Sequence, residues 1–220
     1  MKKKLIIIGT GLFAEVVCSY FEELGNYEVL GFACHESHKT SNRIYGRTLL
    51  SIEKLHEFYK SSDVDVFVAI GYRKMNKARQ RVYLEMKERG YHCANFVHPG
   101  VRISNSTTIG DNVFIFENNT IQPFTKIGNN TVIWSGNHVG HHSTIGNHCF
   151  ISSHVVISGS CLIGDNVFIG VNATLHDGIT IANECLIGAA SLITKNTKSK
   201  EVYVTKGTKT FPKTSDQMGL

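Results

Sequence analysis

Ile145-Gly146-Asn147-His148-Cys149-Phe150-Ile151-Ser152-Ser153-His154-Val155-Val156-Ile157-Ser158-Gly159-Ser160-Cys161-Leu162-Ile163, residues 145–163, puts an aliphatic side chain at every sixth position. The step runs outward in both directions without a slip, back through Val139, Ile133, Ile127, Ile121, Ile115, Ile109 and Ile103 to Val97, and on through Ile169, Leu175, Ile181 and Ile187 to Ile193. Four residues after each aliphatic position stands a second, mostly small series, with Thr125, Thr131, Ser143, Cys149, Cys161, Ala173 and Ser191 among its members. A period of six fits neither the helical period of about 3.6 nor the strand period of two, so the repeat is an architecture of its own. Gly110, Gly128, Gly146 and Gly164 add a period of eighteen, each followed by a turn-forming pair such as Asp111-Asn112 or Asn147-His148. Glycine and asparagine accept positive φ, so the pattern predicts a triangular coil of three hexads with one corner sharper than the others. The fold expected is a parallel β-solenoid filled by the aliphatic column and stabilised by coil stacking. Residues eighteen apart then lie on adjacent coils, about 4.8 Å from one another.

The 220 residues are 42 % hydrophobic, enough for a sizeable core in one or two domains. Met1-Lys2-Lys3-Lys4 opens like a signal peptide, but the following apolar run stops at Gly9, too short for a leader or a membrane span. A cytoplasmic protein without a span is expected. The six cysteines show no C-x-x-C spacing, and Cys149, Cys161 and Cys185 fall in the small column, where they read as small hydrophobes. A net charge of +5 with no basic stretch interleaved with aromatics argues against nucleic-acid binding. Lys195, Lys198, Lys200, Lys206, Lys209 and Lys213 gather at the end, as a solvated tail or as an attraction for anionic phosphates.

The chain divides into residues 1–95, 96–198 and a tail, 199–220. The first part alternates strands at 4–8, 28–33 and 64–70 with helices reaching Leu24, around 51–59 and over 77–89, which predicts a small Rossmann-like parallel sheet. His92–Phe96 reads as one further strand. Gly9-Thr10-Gly11-Leu12-Phe13-Ala14 is a G-x-G-x-x-A turn between strand and helix, the context in which a helix N-terminus holds phosphates. A dinucleotide site wants an acidic residue at the end of the second strand, where this chain has Ala33-Cys34-His35, so a mononucleotide or nucleotide-sugar fits better. The loop after the third strand opens on the same sheet edge, where Arg73 can reach a phosphate and Tyr72 a base; the alternative is an ordinary solvated loop. The candidate substrate-binding residues are Gly9, Thr10, Gly11, Leu12, Phe13, Cys34, Gly71, Tyr72 and Arg73.

Seven of the eleven histidines fall between His98 and His176, most densely at His138, His141 and His142. Val139 and Ser143 point inward by the repeat, so His141 and His142 lie on or near the outside. Three readings stand: His141 as a general base, several histidines as metal ligands, or surface histidines on a polar face.

Gly9-Thr10-Gly11 with Phe13-Ala14, Ala69-Ile70-Gly71, Val97-His98-Pro99, the repeats and Gly140-His141-His142-Ser143-Thr144-Ile145-Gly146 together resemble the hexapeptide-repeat sugar acyltransferases of the sialic acid O-acetyltransferase and bacillosamine N-acetyltransferase type. The resemblance covers nearly the whole chain. It implies a left-handed parallel β-helix assembled as a homotrimer, with acetyl-CoA in the groove between solenoids and a nucleotide-linked sugar on the first domain. His141 takes the position of the family's general base, and Gly159 that of the backbone N–H that receives the oxyanion. The eighteen-residue rule independently sets Gly159 beside His141. Val171 and Ala189 match positions lining the pantetheine and adenine groove. His142 stands where the family usually has an orienting Asp or Glu, and Phe150 where many members have a histidine against the thioester carbonyl. The implied activity is acetyl-CoA-dependent N-acetylation of a nucleotide-linked amino sugar, with the 4-amino position expected, for surface glycan biosynthesis. O-acetylation of a sugar hydroxyl is the near alternative. A zinc hydratase of the γ-carbonic anhydrase type and a non-catalytic scaffold are alternatives of other classes.

Overall fold

A computed structural model describes residues 2–24 and 27–218. The first domain runs β1 (Lys3–Ile8), α1 (Leu12–Leu24), β2 (Tyr27–Cys34), β3 (Arg43–Ile44), β4 (Arg47–Ser51), α2 (Leu55–Phe58), β5 (Asp65–Val68) and α3 (Lys77–Glu88). Its sheet has the order β3-β4-β2-β1-β5, parallel except for β3. The strand order reverses at β1, with β2 on one side and β5 on the other, and such a switch point opens a crevice at the carboxyl ends of the strands. Two expectations change here. The helix expected around 51–59 is one turn, because Arg47–Ser51 pairs with β2 first. His92–Phe96 forms only a bridge from Cys93 to Val66, and Phe96 belongs to the solenoid.

The solenoid has three parallel faces of two-residue strands. The first face comprises Phe96–Val97, Phe114–Ile115, Val132–Ile133, Phe150–Ile151, Phe168–Ile169, Leu186–Ile187 and Val202–Tyr203. The second carries Arg102–Ile103, Thr120–Ile121, His138–Val139, Val156–Ile157, Thr174–Leu175 and Leu192–Ile193. The third carries Thr108–Ile109, Lys126–Ile127, Thr144–Ile145, Leu162–Ile163 and Thr180–Ile181. The coil is left-handed. In each pair the second residue points in, and Ile115, Ile133, Ile151, Ile169 and Ile187 are fully buried. The small column also makes polar contacts. The hydroxyls of Thr131 and Ser143 donate to the carbonyls of Gly146 and Ser158 at 3.0 Å, and the thiols of Cys149 and Cys161 do the same to Gly164 and His176 at 3.1 and 3.2 Å. Burial pushes the Cys149 thiol up to about 12, which leaves it un-ionised at neutral pH.

The sharper corner is not found. All three corners carry a left-handed residue at their second position: Asn130 and His148 at one, Asn118 and His154 at the next, Phe124 and His142 at the third. Gly128 and Gly146 do not have positive φ; a Cβ on either would stand 2.6 Å from the backbone of the next coil. These glycines therefore serve coil stacking, not the turn. The tail expected from residue 199 also begins later, since Val202–Tyr203 pairs with Leu186–Ile187 as a further rung of the first face.

The outward side of the first face is aromatic and docks the first domain. Phe114 meets Phe21, Phe67 and Tyr20, while Phe13 meets Trp134 at 5.8 Å and Phe150 at 6.4 Å. Apart from the tilted Phe13–Trp134 pair, these contacts are edge-on, which suits the ring quadrupoles. Beside it Arg79 of α3 is fully buried, and its guanidinium donates to the carbonyls of His148 and Cys149 at 3.0 Å, of Asn130, Ile70 and Gly71 at 3.3 Å, and to Asn76 Oδ1 at 3.2 Å. One side chain thus ties α3 and the loop after β5 to two coils.

Candidate active site

A cavity of about 510 Å³ opens at the carboxyl ends of β1, β2 and β5. Gly9, Thr10, Gly11, Leu12, Phe13, Cys34, Gly71 and Arg73 all line it. Gly9 is required there: its φ is +144°, and a Cβ would stand 2.5 Å from the Ala69 carbonyl oxygen. The Gly11 carbonyl accepts the Ala14 N–H at 2.8 Å, which opens α1 toward the cavity. His35, His38 and Arg81 line it too, so the cavity presents two guanidinium groups and two imidazoles and no carboxylate. His35 is held by Glu85 at 2.8 Å. Tyr72 departs from expectation. Lys74, Met75 and Asn76 are three successive left-handed residues, and they turn the loop so that Tyr72 lies on Phe168 and Phe150, 4.8 and 5.0 Å away, outside the cavity lining.

The second cluster lies on the corner between the second and third faces. This is the vertex opposite the first face, and therefore opposite the cavity of the same chain. His141 and His142 are exposed and adjacent, sharing a hydrogen bond from Nδ1 to Nδ1 at 3.1 Å. The His141 N–H donates to Gln122 Oε1 at 2.9 Å, and the His142 ring packs on Phe124 at 4.7 Å, so both residues are held from the coil before. Gly159 follows one coil on. A Cβ there would lie 2.9 Å from His141 Cε1 and 3.0 Å from Nε2, so the imidazole lies directly over the glycine. The Gly159 carbonyl accepts from Gly178 at 2.9 Å, whereas its N–H has no acceptor among the described residues.

Val171 and Ala189 lie together on the corner between the first and second faces, where Ala190 N–H donates to the Val171 carbonyl at 2.8 Å. The full width of the second face separates them from His141. Six residues of extended chain span roughly 20 Å. Phe150 is the clearest correction: it belongs to the first face, is 6 % exposed, and packs beneath the first domain. The expected contact with a thioester on the His141 side is therefore not made within the chain. Among the described residues no three His, Cys, Asp or Glu side chains come together to hold a metal ion. No helix among them is long and apolar enough to cross a membrane.

Residues 4–86 match the PglD N-terminal domain family, and residues 124–159 and 160–195 each match the six-repeat bacterial transferase hexapeptide family. The two matches follow one another along the chain. No curated protein matches it. Among solved structures, the fold is shared with a mutant form of perosamine N-acetyltransferase from Caulobacter crescentus in complex with CoA and GDP-perosamine, at 22 % identity, TM-score 0.81, covering 92 % of this chain and 93 % of that one. It is shared with the acetyltransferase domain of PglB from Neisseria gonorrhoeae in complex with acetyl coenzyme A, at 21 % identity and TM-score 0.81, covering 92 % and 96 %. WeeI from Acinetobacter baumannii matches at 15 % identity and TM-score 0.65, covering 87 % and 94 %. At these identities the likeness is one of fold. The PglD-type domain supplies the cavity, and the hexapeptide array supplies the histidine corner.

Sequence reasoning missed Arg79, which looked like one more polar residue of an amphipathic helix, and the cavity residues His38 and Arg81.

Proposed function

We propose that the protein transfers the acetyl group of acetyl-CoA to the amino group of a nucleotide-linked amino sugar, with the 4-amino position as the acceptor. The observation that carries this reading is the imidazole of His141 lying over Gly159, whose N–H is free. An acyl transfer needs a base at the incoming amine and a fixed donor where the oxyanion forms. When His141 donates its Nδ1–H to His142, Nε2 keeps a lone pair. The amine attacks the thioester carbonyl carbon and a C–N bond forms. The adduct's N–H proton passes to Nε2, the oxyanion is held by Gly159 N–H, and the C–S bond breaks as the thiolate leaves with that proton. No covalent enzyme intermediate is needed, in keeping with thiols that are buried.

The cationic lining of the cavity supports the nucleotide end of the substrate, because Arg73, Arg81, His35 and His38 favour phosphates. The solved neighbours' complexes with CoA and GDP-perosamine or with acetyl coenzyme A support the same chemistry. We also infer a homotrimer. The cavity, the histidine corner and the Val171–Ala189 corner lie on different sides of one chain, and neighbouring copies bring them together. Exposed Val156, Val171 and Leu192, on and beside the second face, are the apolar surface that such an assembly covers.

The test is a mass-spectrometric screen of the protein with acetyl-CoA and UDP-, dTDP- and GDP-linked 4-amino sugars beside their hydroxyl analogues. An acetylated amino sugar with one nucleotide is expected. Transfer only to the hydroxyl analogues, or to nothing while acetyl-CoA binds, overturns the N-acetyl reading.

A further inference from the structure

His141, Gly159 and Asp177 form one column, each a coil after the last. Gly159 has no side chain, and the residues on either side of it use the space. A Cβ built there would lie 3.0 Å from His141 Nε2 and 2.9 Å from Asp177 Oδ1, so an imidazole and a carboxylate converge from opposite directions on one point. Both side chains are exposed, and the Asp177 carboxylate takes part in no hydrogen bond or ion pair among the described residues. Its neighbour His176 bonds to the Asp177 backbone carbonyl at 3.2 Å, not to the carboxylate. An exposed carboxylate with no protein partner among the described residues can take a cationic ligand, and its Oδ1 and the His141 Nε2 flank the same point over Gly159.

We propose that Asp177 is the acceptor-selecting residue of this site: its carboxylate, with His141 Nε2, forms a cup over Gly159 that binds the acceptor as an ammonium ion and so favours amino over hydroxyl sugars. The inference rests on the acetyl transfer proposed above and deepens it. A primary alkyl amine arrives at neutral pH largely as R–NH3+, which a carboxylate attracts and a neutral hydroxyl group cannot match. One ammonium proton goes to water, and the freed lone pair faces the thioester. The second N–H proton passes to Nε2 after the C–N bond has formed, and on to the leaving thiolate, so one proton is released for each acetyl group transferred. In the tetrahedral adduct the attacking nitrogen is cationic until Nε2 takes its proton, so Asp177 is ion-paired as the oxyanion forms at the neighbouring Gly159 N–H. The arrangement also bears on His142. This chain lacks a carboxylate directly after the base, and it has one two coils on, at the opposite end of the imidazole.

The experiment compares binding of the 4-amino and 4-hydroxyl members of the UDP-, dTDP- and GDP-linked panel by titration calorimetry, in wild type, Asp177→Asn and His141→Ala. The wild type is expected to prefer the amine by about ten- to hundredfold, the range of a hydrogen bond to a charged group. Asp177→Asn should lose that preference while binding the hydroxyl analogue and acetyl-CoA as before, and Asp177→Glu should restore part of it. Equal binding of both analogues by wild type, or a preference that survives in Asp177→Asn, overturns the proposal. Turnover is read separately. A wild type that binds amines selectively and acetylates nothing retains the cup and sinks the transferase reading, whereas one that acetylates amines with no change in Asp177→Asn does the reverse.

Discussion

Two glycines one coil apart separate fold from chemistry. A Cβ on Gly140 would stand 2.5 Å from the Gly159 backbone nitrogen, and backbone cannot give way inside a stacked coil. The three atoms nearest a Cβ on Gly159 are all ends of the His141 and Asp177 side chains, at 2.9–3.0 Å, and both ends can swing into solvent. Gly140→Ala is therefore expected to lower the melting temperature by several degrees, and Gly159→Ala to leave it unchanged while lowering kcat. Calorimetry and steady-state rates on the two variants check the contrast, and equal melting temperatures would refute it. His141→Ala removes an exposed side chain, so it should keep the fold and lower turnover by about two to four orders of magnitude. Near wild-type turnover would end its role as base. At this scale the sequence was readable wherever the eighteen-residue period applied. That rule linked His141 with Gly159, and one more step reaches Asp177, which reads otherwise as an ordinary exposed acid. It also explains the failure at Phe150: that residue stands nine after His141, one and a half hexads on, which turns it onto the first face and under α1.

At the scale of elements, the period made the rungs from Val97 to Ile193 legible, because the aliphatic residue of each hexad must be buried whatever surrounds it; the last rung, Val202–Tyr203, is off the six-residue step and lies in the stretch expected as tail. The contact between α3 and the solenoid was not legible, since no local pattern shows which side chain meets which distant coil. Arg79 and His148 make that contact. Asn112, Asn130 and His148 form a buried ladder, with Asn112 Nδ2 donating to Asn130 Oδ1 at 2.8 Å and Asn130 Nδ2 meeting His148 Nδ1 at 2.9 Å. Burial, reinforced by the Arg79 charge, lowers the His148 imidazole to about 4. Its folded value lies below the ordinary 6.5, so the unfolded chain binds the proton first as pH falls. The contribution is complete above about pH 6.5 and is lost progressively between pH 6.5 and about 4, about 3 kcal/mol in all. His148→Asn continues the asparagine ladder and suits the φ of 60° at that position. Urea unfolding at several pH values should show a shallower acid slope for this variant, and an unchanged slope would show that acid sensitivity arises elsewhere. Arg79→Met leaves several buried carbonyls without donors, and a loss of about 3–5 kcal/mol is expected, read from the same unfolding curves.

At the scale of the whole molecule, one chain holds a cavity lined by Arg73 and Arg81 on one side of a triangular solenoid and the His141–His142 pair on the opposite vertex. On the function proposed above, a nucleotide-sugar held in the cavity cannot reach its own chain's His141 through the packed core, so the proposal requires a His141 from another copy. The homotrimer proposed above predicts a mass of three 24.4 kDa chains by light scattering, with sites between subunits. Complementation tests this directly. A chain carrying Arg73→Glu and Arg81→Glu keeps its base and loses the cavity's cations; a chain carrying His141→Ala keeps the cavity and loses the base. Neither variant touches the aromatic face or the buried Arg79, so each should assemble normally. Each alone should be nearly inactive. Co-expressed with different tags and purified as mixed trimers, they should recover about a third of the wild-type rate, since in either mixed trimer one of the three interfaces joins an intact cavity to an intact base. A site confined to one chain predicts no recovery at all, because no chain in the mixture carries both halves. The size of the recovered rate thus tells whether a chain serves its own cavity or its neighbour's.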